Sequence, residues 1–117
     1  MNDKQLSFLF STVLATVITL APVTAATAAD EAAAKALARQ SNCFKCHSVD
    51  KKKDGPAWKE VAAKYQGKPD AQATLTHHIT SGEKVKFADG HEEDHTAVKS
   101  TDPKEIANLV EWILSLK

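Results

Sequence analysis

The sequence predicts an all-α domain of short helices behind an export signal, and three observations carry that expectation. Apolar stripes at helical spacing recur between capping residues along positions 30–117. No alternating strand pattern is found anywhere. The only cysteines are the closely spaced pair Cys43 and Cys46. A length of 117 residues suits one domain. Lys plus Arg is 15 and Asp plus Glu is 15, so the neutral chain has no general attraction for nucleic acid or an anionic surface. Two cysteines are too few for a disulfide framework or a four-cysteine zinc site.

Each helix has its own signals. Asp30 caps an Ala-rich segment that runs to about Gln40, and Glu31 suits its positive end. Gly55-Pro56 marks a turn, with Pro56 expected at the first position of a second helix. Trp58, Val61, Ala62 and Tyr65 follow at helical spacing until Gly67. Asp70 caps a third helix, which places Leu75, His78 and Ile79 on one face and stops at Gly82. Glu83 to Ser100 has no clear period and reads as a long loop. The last helix is the best signalled. Asp102 caps it, Pro103 opens it and Glu105 is placed to complete a capping box. Ile106, Leu109, Val110 and Ile113 form its apolar stripe, with Trp112 beside it.

The first residues read as an address. Lys4 gives a weak positive start, Leu6 to Ala21 is an apolar run, and Pro22 breaks it. Ala26-Thr27-Ala28 fits the small-residue cleavage pattern of a secretory signal. An uncleaved membrane anchor is the alternative, but the run is shorter than the roughly 20 apolar residues of a spanning helix. The chain is therefore expected to divide into a cleaved signal peptide, 1–29, and one domain, 30–117, that works in the periplasm. Cleavage removes one charge of each sign, Lys4 and Asp3, and leaves 88 residues. So short a chain buries only a thin core, and a bound cofactor is one way to fill it.

Cys43-Phe44-Lys45-Cys46-His47 names that cofactor. Cys-x-x-Cys-His is the attachment pattern of a c-type haem. Thiols three residues apart on one turn can each form a thioether with a haem vinyl group, and the adjacent His47 then ligates the iron from the proximal side. A zinc site would need further Cys or His at finger spacing. A thioredoxin-like pair would need a strand–helix–strand context, and a simple exported disulfide would leave His47 unexplained.

From Leu37 to Leu116 the sequence resembles the small bacterial class I cytochromes c. The shared order is helix, CxxCH, Gly55-Pro56 eight residues past His47, the segment Trp58–Tyr65, a further helix, a ligand loop and a terminal helix with an aromatic, here Trp112. The resemblance implies a small all-α class I cytochrome c-like fold wrapped around one covalently attached haem c. It implies that the Pro56 carbonyl accepts the Nδ1 proton of His47 and that Leu75, Ile79 and Trp112 pack the haem. It also implies that His78 lies near a haem propionate.

The departure from that family is the sixth ligand. The family takes a methionine from the loop before the last helix, whereas the one methionine here is Met1. Imidazole is the natural substitute, because it also suits iron. His95 lies seventeen residues before Trp112, close to the family's spacing, and is the favoured candidate. Counted from Gly82, His91 fits better, since the loop carries about four extra residues by that resemblance. A third reading leaves both as solvated loop histidines. His77 and His78 on the third helix, and Lys84, Lys86 and Lys99, are weaker candidates.

Methionine raises a haem's potential relative to imidazole, so His/His ligation implies a low-potential periplasmic electron carrier and not an enzyme. The alternative is an iron with an open position that binds a small gas or peroxide, as a sensor or a peroxidase-like enzyme. Seven lysines between Lys45 and Lys68 face only Asp50, Asp54 and Glu60, which suggests redox partners with acidic docking surfaces. Neither nucleic acid nor, after cleavage, a membrane is expected as a partner.

Overall fold

The computed structural model describes residues 27–117, so nearly all of the expected signal peptide lies outside the described residues. The expected helices follow in order: α1 (Glu31–Gln40), α2 (Trp58–Tyr65), α3 (Ala71–Ser81) and α4 (Pro103–Leu114). A short 3₁₀ turn covers Cys43–Lys45. Among the described residues no helix is long and apolar enough to cross a membrane.

The helices start and stop for legible reasons. The Asp30 carboxylate accepts from Ala33 N–H at 3.0 Å, and the Asp102 carboxylate accepts from Lys104 N–H at 2.8 Å. Gly82 ends α3 at φ +66°, a left-handed conformation that glycine adopts without steric cost. Three details differ from expectation. Pro56 stays outside α2, because Trp58 N–H and Lys59 N–H bond the Ser48 and Val49 carbonyls and keep residue 57 extended. Asp70 caps no backbone N–H and accepts instead from the Thr74 hydroxyl at 3.4 Å. Glu105 bonds Ser100 Oγ at 2.5 Å, and that same hydroxyl accepts from Asp102 N–H, so the capping box runs through an intervening serine.

The larger correction concerns residues 83–100. They are not a plain loop. Strand β1 (Lys84–Lys86) pairs antiparallel with β2 (Glu92–Asp94), with Lys84 opposite Asp94, Val85 opposite Glu93 and Lys86 opposite Glu92. Oppositely charged residues face each other at both ends, and Lys84 Nζ reaches Asp94 at 2.7 Å. Asp89-Gly90 forms the tip. A two-stranded ribbon of three-residue strands is too short to show a sequence period.

Helix α4 is the hub and packs against α1, α2 and α3. Its Ile106, Leu109, Val110, Trp112 and Ile113 are all buried. Opposite them α1 contributes Ala34, Leu37 and Ala38, the two alanines being fully inaccessible. Small residues let the two backbones approach closely. The start of α1 is also tied to α4. Asp30 N–H donates to Asn108 Oδ1 at 2.7 Å, and Asn108 Nδ2 donates back to the Asp30 carbonyl at 2.8 Å. Ala38→Leu is expected to overfill this interface and cost about 1–3 kcal/mol, read by denaturant unfolding of the haem-loaded protein.

Candidate haem site

The site begins with the turn after α1. Ser41 is buried, and its hydroxyl accepts from Lys99 N–H at 3.0 Å, which ties α1 to the segment entering α4. Asn42 then adopts φ +59° and turns the chain sharply, a conformation asparagine tolerates better than most residues. The turn closes with Cys46 N–H and His47 N–H both bonded to the Cys43 carbonyl, at 3.2 and 3.0 Å. One turn therefore holds Cys43, Cys46 and His47 together at the edge of a common cleft. Both thiols are half-buried, and burial pushes the Cys43 thiol above its ordinary pKa.

The His47 ring is held on several sides. Its Nδ1–H donates to the Pro56 carbonyl at 2.8 Å, which leaves Nε2 as the free lone pair. Trp58 stacks against the ring at 5.7 Å between centroids. Gly55 lies so close that an added Cβ would sit 2.5 Å from His47 Cε1, so the position has no room for a side chain. Behind Trp58 stands Trp112, edge-on at 5.4 Å. Trp112 is buried but does not line the cleft; it supports the Trp58 ring that supports His47.

His95 stands across the cleft from His47. The ring centroids are 6.1 Å apart and the planes are inclined at 53°. The His78 ring packs on His95 at 4.2 Å and its Nδ1–H donates to the Glu83 carboxylate, so α3 supplies a wall of the cleft. Burial lowers the pKa of both His47 and His95, and the neighbouring His78 adds to the effect on each. Both are thereby favoured as neutral imidazoles, the form that ligates metal.

His91 lies elsewhere. It is exposed at the hairpin tip, stacked on Phe87 at 4.3 Å and bonded to the Asp89 carboxylate, which raises its pKa. It is not among the residues lining the cleft. His77 is exposed too and points toward Glu83 at 3.8 Å. The cleft encloses about 550 Å³, within the usual range of cofactor pockets. Its apolar walls include Val61, Leu75, Ile79, Leu109, Val110 and Ile113. Sequence reasoning found the thiols, the three cleft histidines and the α3 wall. It missed Val85 and Phe87, which the hairpin brings to the rim. Lys-Val-Lys followed by Asp-Gly was their one signal.

The family model for cytochrome c matches residues 31–117, nearly the whole of the described chain. The chain belongs to the cytochrome c family. It is similar to cytochrome c-551 of Pseudomonas denitrificans, 40% identical over 75 residues that span 64% of this chain and 87% of that protein. Cytochrome c-552 of Nitrosomonas europaea is 38% identical over 81 residues, 69% of this chain and 76% of the relative. Among solved structures, the class 1 cytochrome MtoD from Sideroxydans lithotrophicus ES-1 superposes with a TM-score of 0.73 at 63% identity, covering 76% of this chain and 98% of its own. The protein is thus a small class I cytochrome c, an electron-transfer haem protein and not an enzyme. Members of the family carry one covalently attached haem c, and Cys43 and Cys46 fit its CxxCH motif.

The residues present suit that group. Two thiols lie at the cleft edge, apolar side chains form its walls, and two imidazoles face each other across it. Metal–imidazole bonds of about 2 Å, with about 1.2 Å from ring nitrogen to centroid, would put two imidazoles on opposite sides of one metal about 6.4 Å apart between centroids. The observed 6.1 Å leaves room for one metal ion between the rings. Gly55→Ala is expected to push the His47 ring aside. The measurement is the His47 Nδ1–H proton resonance of the reduced haem protein, which should shift or vanish as the Pro56 bond breaks.

Proposed function

We propose that this cytochrome is a periplasmic, low-potential electron carrier whose haem is bonded through Cys43 and Cys46 and whose iron is held between His47 and His95. The observation that carries this reading is the placing of the His47 and His95 rings on one cleft, 6.1 Å apart between centroids, a spacing with room for one metal ion. The absence of any methionine after Met1 supports it independently, since no thioether is available. When bound, the haem supplies a one-electron ferric–ferrous couple. The rest is the work of the chain. His47 and His95 would hold the iron between them, so no substrate is required. Pro56 fixes the tautomer of His47 and raises its basicity as a ligand. Apolar walls exclude water and limit reorganisation around the charge. An imidazole in place of a thioether lowers the potential. The exposed tip position of His91 argues against it as the ligand, and the seated His95 ring argues against an open coordination position.

The pinning of Asp30 to Asn108 supports a domain that begins at residue 30 after cleavage of a signal peptide, 1–29. A new amino terminus there could still donate to Asn108. Export of this kind places the protein in the periplasm. Redox partners would meet a basic patch beside the attachment turn. Lys45, Lys51 and Lys52 are exposed there, while Lys59 is engaged with Asp50 at 2.6 Å. They lie outside the cleft lining, where five carboxylates, Asp54, Glu60, Glu83, Glu93 and Asp94, accompany Lys64 and Lys86. Such a patch favours partners with acidic docking surfaces, chiefly through the encounter rate.

Three outcomes test this. His95→Ala is expected to convert the low-spin absorption spectrum to high-spin and to allow carbon monoxide binding, while His91→Ala keeps the parent spectrum; the reverse pattern would overturn the assignment. His95→Met is expected to raise the midpoint potential by on the order of 100 mV, read by spectroelectrochemistry. Electron transfer with an acidic partner is expected to slow as ionic strength rises through about 0.1 M, and a rate indifferent to salt would remove the basic patch from the account.

A further inference from the structure

The two ligand sites are built differently. His47 has a hydrogen-bonded Nδ1, a stacked tryptophan and a backbone pressed against it. His95 Nδ1 is buried and has no hydrogen-bond partner. Its ring orientation must therefore come from packing and from its own backbone, and both lead to one residue. The Glu83 carbonyl accepts from His95 N–H at 2.9 Å. The Glu83 carboxylate accepts from His78 Nδ1–H, and the His78 ring lies 4.2 Å from that of His95. Glu83 follows Gly82, the left-handed stop of α3, so its place is fixed by the helix end. It is exposed, yet it takes the bond from His95 N–H and the bond from the His78 ring that packs on His95.

We propose that Glu83 is a positioning residue for the distal ligand, clamping His95 through its main-chain carbonyl and, by way of His78, through its side chain. The inference rests on the reading that His95 ligates the iron. Glu83 does not touch the iron. It holds the His78 ring as a wall that sets the plane of the His95 imidazole, now inclined at 53° to His47. Removing the carboxylate frees His78 and lets the His95 ring rotate or detach. Orienting partners of metal ligands commonly carry effects of 10–100-fold on affinity.

The experiment uses the haem-loaded protein with Glu83→Ala, Glu83→Gln and His78→Ala, and His95→Ala as reference. The readouts are the g-values of the ferric form by electron paramagnetic resonance, which follow the angle between the axial imidazole planes, and the rate of carbon monoxide binding to the ferrous form. Glu83→Ala and His78→Ala are expected to shift the g-values and speed carbon monoxide binding roughly 10-fold. Glu83→Gln keeps a carbonyl oxygen for His78 and should stay near the parent in both. Thermal melting of each variant separates ring positioning from general loss of structure. Parent g-values and parent rates in Glu83→Ala, with the low-spin signal lost in His95→Ala, would overturn the clamp alone. A parent spectrum in His95→Ala would overturn the ligand assignment and the clamp with it.

Discussion

The seat of His47 is the constraint on which the remaining structure depends. A ring pressed between the Gly55 backbone, the Pro56 carbonyl and the Trp58 face has one available orientation. Trp58 in turn rests on Trp112, and Trp112 belongs to the buried stripe of α4. The His47 imidazole is thus wired into the main core by direct packing. Its position is as stable as the contact of α4 with α1 and α2, and the 3₁₀ turn that carries the thiols is fixed with it. This explains why Trp112, one ring behind the cleft wall, still belongs to the site: it acts through Trp58.

The His95 side of the cleft has no such foundation. His95 is attached to a two-stranded ribbon whose strands are largely exposed and to the end of α3. Ribbons of this size are marginal alone, and local opening draws on the least buried elements first. The charges of the ribbon are mostly matched within it. Asp94 meets Lys84, while Asp89 and Glu93 both meet His91. The acidic run therefore presents less uncompensated charge than its composition suggests.

Much of this architecture was legible in the sequence, because its signals are local. Asp30, Gly82, Asp102 and Pro103 act within one turn of themselves, and the stripe Ile106–Ile113 reports burial directly. CxxCH is local as well, since the chemistry needs its three residues on one turn. What was hidden is relational. That Pro56 would lie outside α2 depends on the Ser48 and Val49 carbonyls reaching forward to Trp58 and Lys59. That Glu105 would bond through Ser100 depends on the angle at which the chain enters α4. The tightness at Gly55 and the empty Nδ1 of His95 are properties of neighbours brought from elsewhere in the chain.

The hairpin shows the same limit in its most consequential form. Counting from α4 pointed to His95 and counting from Gly82 pointed to His91, and both counts assumed a loop that advances with each residue. Residues 84–94 do not advance. They run out along β1, turn at Asp89-Gly90 and return along β2, so that His95 N–H meets the Glu83 carbonyl at 2.9 Å. The excursion adds length without adding displacement, which inflates the count from Gly82 and leaves the seventeen residues between His95 and Trp112 untouched. His91 falls at the far end of the excursion, where exposure and the carboxylates of Asp89 and Glu93 satisfy both ring nitrogens. His95 falls at its root, half-buried and on the wall of the cleft. A histidine whose nitrogens are already paired at the surface has nothing to gain from a metal. A half-buried imidazole on the wall of an apolar cleft, favoured in its neutral form and opposite the His47 ring, is in the state that ligates a metal.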